Sequence, residues 1–318
     1  MQAQGLIISN QNSTRSRTYK LNPSSKEYIR WDLSRPPHQR IAVKFSPKLL
    51  NDYQPNRHFF LSKSQREVLM QAGGFMDKTP LETGKNYTRL ISSLVIDLAH
   101  ASSNLENVPI SWLDTKTLLE FGERPQGLNE VELKIVLNHK KAINFLTEHA
   151  LELTISPRNL FDLHKLIAEG LISDQQAIGR LRQRVVRFSD SRYLPPDNPH
   201  LLREMFEQFC EKAEAIENPF EQAFFIMVFL SYLQPFQDGN KRTSRLSMNI
   251  PLLKNHLAPF SFADLSKYEY MLGLLAFYER ENYELLAEAF VKAYQKTAPR
   301  YAELLNYIQE GGSLGTLT

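Results

Sequence analysis

Residues 234–245 read Gln234-Pro235-Phe236-Gln237-Asp238-Gly239-Asn240-Lys241-Arg242-Thr243-Ser244-Arg245, directly after the apolar run Ala223-Phe224-Phe225-Ile226-Met227-Val228-Phe229-Leu230. Asp-Gly-Asn is a turn sequence, so Gly239 and Asn240 open a helix expected to run through Leu246 toward Ile250. The N–H groups of a first helical turn have no intrahelical partner, and the aligned peptide dipoles add roughly half a positive charge there. Phosphate oxygens are natural ligands of such a helix start, and Gly239 has no side chain to obstruct them. Arg242 and Arg245 stand three apart and share one helical face, where two guanidinium forks suit the outer phosphates of a nucleotide. Asp238 offers a hard oxygen to Mg2+, an ion usually held by one or two carboxylates together with its substrate. Singly, each residue has a plainer reading, with Asp238 as an N-cap and the basic face solvated. The ordered set points to a nucleotide and a metal.

The same twelve residues resemble the signature of Fic (Fido) domain proteins, His-Pro-Phe-x-Asp/Glu-Gly-Asn-Gly-Arg-x-x-Arg, at every defined position but two. Lys241 replaces the second glycine, a mild change. Gln234 replaces the histidine, which goes to the mechanism. The resemblance implies a protein adenylyltransferase in which ATP is the substrate, Mg2+ assists, and AMP passes to a Ser, Thr or Tyr of a target protein (AMPylation). It assigns nucleotide binding to Phe236, Asp238, Gly239, Asn240, Lys241, Arg242 and Arg245, the metal to Asp238, and catalysis to position 234 with Asn240 and Arg242. In the family the histidine takes the proton of the attacking hydroxyl. A Gln amide can orient a hydroxyl but does not titrate near neutral pH. General-base catalysis typically contributes ~10² to ~10⁴-fold, so the expectation is nucleotide binding with severely impaired transfer. The alternative is a pseudoenzyme that serves as a nucleotide-sensing or peptide-binding module.

Upstream, Ser102-Ser103-Asn104-Leu105-Glu106-Asn107 resembles the family's inhibitory motif, Ser/Thr-x-x-x-Glu-Gly/Asn, with Ser102 and Glu106 at its fixed positions. It ends a helix expected from Thr88 to Glu106, in which Ile91, Leu94, Val95, Leu98 and Ala99 recur with helical spacing. By the resemblance Glu106 pairs with Arg245, stands where the γ-phosphate would be, and makes the protein autoinhibited. Taken alone, Ser-x-x-x-Glu is more often a surface pair on a helix.

The expected fold is mainly α: a Fic-type helical bundle with a short β-hairpin flap and an N-terminal extension. Its divisions are a flexible arm (1–25), an N-terminal region ending in the inhibitory helix (26–110), a Fic core (111–298) and a C-terminal tail (299–318), loose around Gly311-Gly312. Within the core, helices are expected over 138–150, from Ser156-Pro157 to Gly170, over 201–216 and from Asn218-Pro219, then over 264–278 and 283–298. Strand-like Ile41 to Phe45 and helix-like Ser64 to Ala72 precede it. The flap is read over 176–194, where Val185, Val186, Phe188 and Tyr193 surround a Ser189-Asp190-Ser191 turn. Fic proteins hold a target segment along such a flap as an added strand, and here Arg180, Arg182, Arg184, Arg187 and Arg192 suit an acidic partner or a polyanion, or equally are solvated side chains guarding an exposed strand edge.

Other chemistry finds no support. Cys210 lies on an apolar stripe and reads as core filler, and a single cysteine excludes an internal disulfide framework. His164 reads as a packed core histidine, and His139 and His149 as surface residues. His256 follows the motif helix and matters only if the chain bends back. No His has trustworthy metal-ligand spacing, and no Gly-x-Ser-x-Gly elbow exists. The net charge of +3 gives no general argument for nucleic-acid binding, and the mean hydropathy of −0.37 suits a soluble chain. The apolar run after Asn218 is far short of the ~20 residues needed to cross a bilayer. Only Leu6-Ile7-Ile8 is apolar near the start, so no secretory segment is expected and the chain is placed in the cytoplasm, with a homodimer as a family habit.

Overall fold

The run after Asn218 folds as a helix, Pro219–Leu233, in which every residue except Gln222 is buried. Asn218 caps it by accepting from Glu221 N, and Pro219 sits at its first position, where a missing N–H costs nothing. In the computed structural model, which describes residues 7–10, 18–74 and 85–309, this helix is the axis of the bundle. In chain order the helices are α1 (Lys26–Ser34), α2 (Pro47–Asp52), α3 (Lys63–Gly73), α4 (Lys85–Leu105), α5 (Trp112–Phe121), α6 (Glu130–Glu148), α7 (Pro157–Ala168) and α8 (Pro199–Glu214). The axial helix is α9, followed by α10 (Asn240–Ser247), α11 (Asn249–Lys254), α12 (Lys267–Arg280) and α13 (Glu284–Gln309). Helices α3, α8, α10, α11 and α12 pack around α9. On the other side α4 lies against α5, α6 and α13, and α10 also reaches α6 and α7. The protein is mainly α, as its sequence pattern implies. No helix among the described residues is long and apolar enough to cross a membrane.

Local signals set most boundaries. Asn129 and Glu132 form a capping box at the start of α6, and Ser156 with Pro157 and Asn198 with Pro199 open α7 and α8. The motif helix is broken at Met248, so α10 ends before Ile250 and the short α11 follows.

Three expectations need correction. The flap does not form a hairpin within 176–194: its strand β4 (Tyr193–Leu194) pairs in parallel with β3 (Val43–Lys44). The reason is where the backbone bonds go, since Arg182 N donates to Pro235 O (2.9 Å), and Val43 N and Phe45 N donate to Arg192 O (3.1 Å) and Leu194 O (2.9 Å). The arm carries an antiparallel pair, β1 (Ile7–Asn10) with β2 (Thr18–Leu21), in the register Ile7 to Leu21. The last helix does not end at Ala298, because α13 continues through Pro299 to Gln309. Packing offsets the lost helical bond: Ala298 and Tyr301 are buried, Arg300 pairs with Asp264 at 3.0 Å, and Tyr301 OH donates to Asp97 at 3.4 Å. Gly311-Gly312 lies outside the described residues.

Candidate active site

Helix α9 stops at Gln234, whose φ of 49° is left-handed, and Pro235 cannot continue a helix. For a residue with a Cβ that conformation costs roughly 1–2 kcal/mol, so the following loop must hold it. It does so through Asn240, whose carboxamide accepts from Phe236 N and donates to Phe236 O, both at 2.8 Å. Phe236 is fully buried and stacks on the His164 ring at 3.9 Å. His164 Nδ1 accepts from Gly179 N (2.9 Å), which fixes the proton on Nε2, and that nitrogen donates to Asp238 O (3.0 Å). Burial pushes the His164 pKa down to about 4, against the pull of the Asp238 carbonyl bond. It is a neutral clamp.

Gly239, at φ 77°, is the N-cap of α10, as expected of the turn at Gly239 and Asn240, so the plainer reading of Asp238 as the cap does not hold and no side chain caps the first turn. Asp238 Oδ1 instead accepts from Gly239 N at 2.6 Å, and Oδ2 from Arg242 Nη2 at 3.1 Å. Arg242 and Arg245 sit 5% and 0% exposed on one side of α10. Arg245 Nη2 donates to Glu106 Oε1 (2.6 Å) and Ser102 O (3.3 Å), and its Nε donates to Ser102 Oγ (3.0 Å). Arg242 Nε lies 3.6 Å from Glu106 Oε2. Arg242 Nε and the Nη1 atoms of both arginines are buried without a hydrogen-bond partner among the described residues. Such orphaned donors are costly unless something accepts them.

Burial alone would raise the Glu106 pKa, but the Arg245 and Arg242 cations outweigh it and hold the carboxyl at about 2. Glu106 reaches them because α4 ends immediately before it: Glu106 N and Val108 N donate to Ser103 O, and Asn107 turns the chain with φ 66°. Asn tolerates that left-handed turn better than most residues with a Cβ, which gives the residue after Glu106 a physical role. Lys241 is part-buried with its ammonium 3.7 Å from Met271 Sδ and 5.8 Å from the Phe188 ring centroid, and desolvation lowers its pKa.

At position 234 the side chain is 7% exposed and its Nε2 donates back to Ser231 O at 2.7 Å. Its backbone O accepts from Arg182 Nε (2.7 Å). Arg182, expected among the flap's outward cations, is 3% exposed and also donates to Arg184 O and Pro196 O, while Arg180, Arg184, Arg187 and Arg192 are exposed. A further correction concerns His139: expected at the surface, it is 1% exposed and bridges Ser102 and Ser103. Its spacing to buried Val136, Ala142, Ile143 and Leu146 places it on the apolar face of α6. Cys210 is buried core with its thiol pKa pushed up, while His149 and His256 are exposed.

The structure thus gathers Gln234, Phe236, Asp238, Gly239, Asn240, Lys241, Arg242, Arg245, Ser102 and Glu106 around the start of α10. A glycine-opened helix start without a side-chain cap, two buried guanidiniums and the Glu106 carboxylate across them thus lie together. Residues 154–252 match the model of the Fic/DOC family. Over 187 residues the chain is 25% identical to the protein adenylyltransferase Fic of Nematostella vectensis, covering 57% of this chain and 43% of that protein. It therefore spans less than half the length of that curated relative. Its fold is similar to that of Fic-1 from C. elegans (TM-score 0.63, 21% identity, 76% of this chain and 72% of that one). It is similar also to a Fic family protein from Desulfovibrio desulfuricans G20 (0.63, 19%, 80% and 78%) and a Fic domain containing signaling protein from Bacteroides thetaiotaomicron (0.60, 18%, 78% and 98%). Residues 154–252 are thus similar to the Fic/DOC family, and part of the chain is similar to a protein adenylyltransferase.

Proposed function

We propose that this chain binds ATP at the start of α10 and acts as a weak adenylyltransferase on a target hydroxyl, held closed by Glu106 and limited by Gln234. The observation that carries the reading is the pair of buried guanidiniums with unpartnered N–H groups beside an uncapped helix start. Phosphate oxygens would satisfy those donors at once. Glu106, already on Arg245 and near Arg242, occupies the position an outer phosphate needs, so nucleotide and carboxylate compete. Asp238 is a single carboxylate, with its side chain 64% exposed and half engaged by Gly239 N and Arg242. Among the described residues no cluster of three or more potential ligands exists. That donor set fits Mg2+ held mainly by phosphates and water, and the ion would supply charge neutralisation on them.

In the proposed reaction a Ser, Thr or Tyr oxygen, on a target segment lying along residues 176–194, bonds to the α-phosphorus. The bond to the β-phosphate oxygen breaks, pyrophosphate leaves, and the hydroxyl proton must go to a base. Gln234 cannot take it, and its amide is folded back with Nε2 donating to Ser231 O. The proton goes to solvent, and transfer is slow. A second reading, a nucleotide-sensing or peptide-binding module without chemistry, is favoured by this same folded-back amide.

Labelled-ATP transfer to a lysate separates the two. Gln234→His with Glu106→Gly is expected to raise labelling by ~10² to ~10⁴-fold. Silence of that double variant, with ATP still bound, would favour the module. Brisk labelling by the unaltered chain would end the missing-base argument.

A further inference from the structure

Ser102 and Ser103 are consecutive, fully buried residues of α4, and both hydroxyls reach the one imidazole of His139 on α6. Ser102 Oγ is 3.0 Å from Nε2, and Ser103 Oγ is 3.0 Å from Nδ1. The arginine favours one of the two ring tautomers, since it already fills one lone pair of Ser102 Oγ. A guanidinium has no acceptor, so Arg245 Nε–H donates to Ser102 Oγ at 3.0 Å. The Ser102 proton is then free to point onward to Nε2, which accepts it. The ring proton accordingly sits on Nδ1 and is donated to Ser103 Oγ. The result is a directed chain from Arg245 through Ser102 and His139 to Ser103, tying α10, α4 and α6 together. An imidazolium would donate from both ring nitrogens and so reverse the Ser102 bond. The charged groups that face His139 are Arg245 and Arg242 from α10 and Glu106 from the end of α4. Burial first, then the two arginines, push the imidazole pKa down to about 3, with Glu106 pulling weakly the other way.

The geometry points to His139 as a positioning residue for inhibition: through Ser102 it holds the last turn of α4 on Arg245 and so keeps Glu106 in the anion's place. This rests on the reading that Glu106 competes with nucleotide. The ring's hydrogen bonds go to Ser102 and Ser103, so its effect on ligand binding passes through the serine. A phosphate that displaces Glu106 must work against the whole chain of bonds, one of which His139 supplies.

The test is a double-variant comparison of ATP affinity by calorimetry. His139→Leu keeps the volume and removes both polar atoms, and His139→Gln retains one acceptor and one donor. With Glu106 present, His139→Leu is expected to tighten ATP binding by about fivefold, the scale of one net hydrogen bond, and His139→Gln by less. In the Glu106→Gly background the same changes should leave affinity within about twofold, because the contact that His139 supports is gone. An equal effect in both backgrounds, or none in either, overturns the assignment. Failure of Glu106→Gly alone to tighten ATP sinks the competition reading instead. Nitrogen-15 NMR of the histidine side chains reads the unaltered protein directly. It should find one ring protonated at Nδ1 that does not titrate between pH 5 and 8 and whose signals shift in Ser102→Ala. Protonation at Nε2, or titration near pH 6.5, refutes the relay even if His139→Leu does not fold.

Discussion

Replacing Glu106 by Gln keeps the size of the side chain and removes its charge, leaving the fully buried Arg245 guanidinium without a counter-ion. The Glu106 carboxyl is 23% exposed, and its pKa falls from an ordinary 4.5 to about 2 on folding. At 1.36 kcal/mol per pKa unit that corresponds to roughly 3 kcal/mol of stability at neutral pH. Truncating one member of a buried pair gives a cost of about 3–5 kcal/mol by a separate argument. The folded protein binds the Glu106 proton more weakly than the unfolded chain does. The contribution is therefore complete above about pH 4.5, declines as pH falls, and is gone below about pH 2. Urea unfolding followed by circular dichroism should show Glu106→Gln less stable by about 3 kcal/mol at pH 7, shrinking to roughly half of that at pH 3. Tripolyphosphate at one fixed concentration should then stabilise the variant more than the unaltered chain, since a neutral amide contests its site less than a carboxylate does. A variant as stable as the original at pH 7, or a difference that does not change with pH, would refute the argument that the pair is coupled to folding.

Two further substitutions probe the frame of the site. Arg40, 5% exposed, donates to Glu279 Oε1 at 2.8 Å, and that oxygen also accepts from Ser191 Oγ and Arg192 N. Arg40→Met should lower stability by about 3–5 kcal/mol in thermal unfolding, and Arg40→Met with Glu279→Leu should recover much of it. Asn240→Ala strands the buried N–H and C=O of Phe236, so roughly 2–4 kcal/mol of stability should be lost in urea titrations, together with ATP affinity. An Asn240→Ala protein of unchanged stability would mean the loop is held by the Phe236 and His164 stack and the His164 and Arg182 bonds without Asn240.

What the sequence made legible were features carried by short-range chemistry. Asn218-Pro219 and Ser156-Pro157 start helices because cap and proline act locally, and the three-residue spacing of Arg242 and Arg245 puts both beside Glu106. What escaped was decided by distant partners. Val185, Val186 and Phe188 have strand-like composition, yet Arg182 is drawn down onto Gln234 O and Pro196 O, so the flap is fastened to the motif loop rather than to itself. His139 was hidden because its helix starts at Glu130, earlier than the pattern from Asn138 suggests, which cut Val136 out of the apolar face. Pro299 signals a helix end that packing against α4 and Asp264 overrides.

The central claim is that the start of α10, with Arg242 and Arg245, wraps a polyphosphate. Its most direct measurement is calorimetric titration of ATP into Glu106→Gly and into the same variant carrying Arg242→Ala. Removal of that guanidinium should weaken binding about tenfold or more, as expected for charged hydrogen bonds. Equal affinity in the two proteins, or no binding by Glu106→Gly at all, would contradict it.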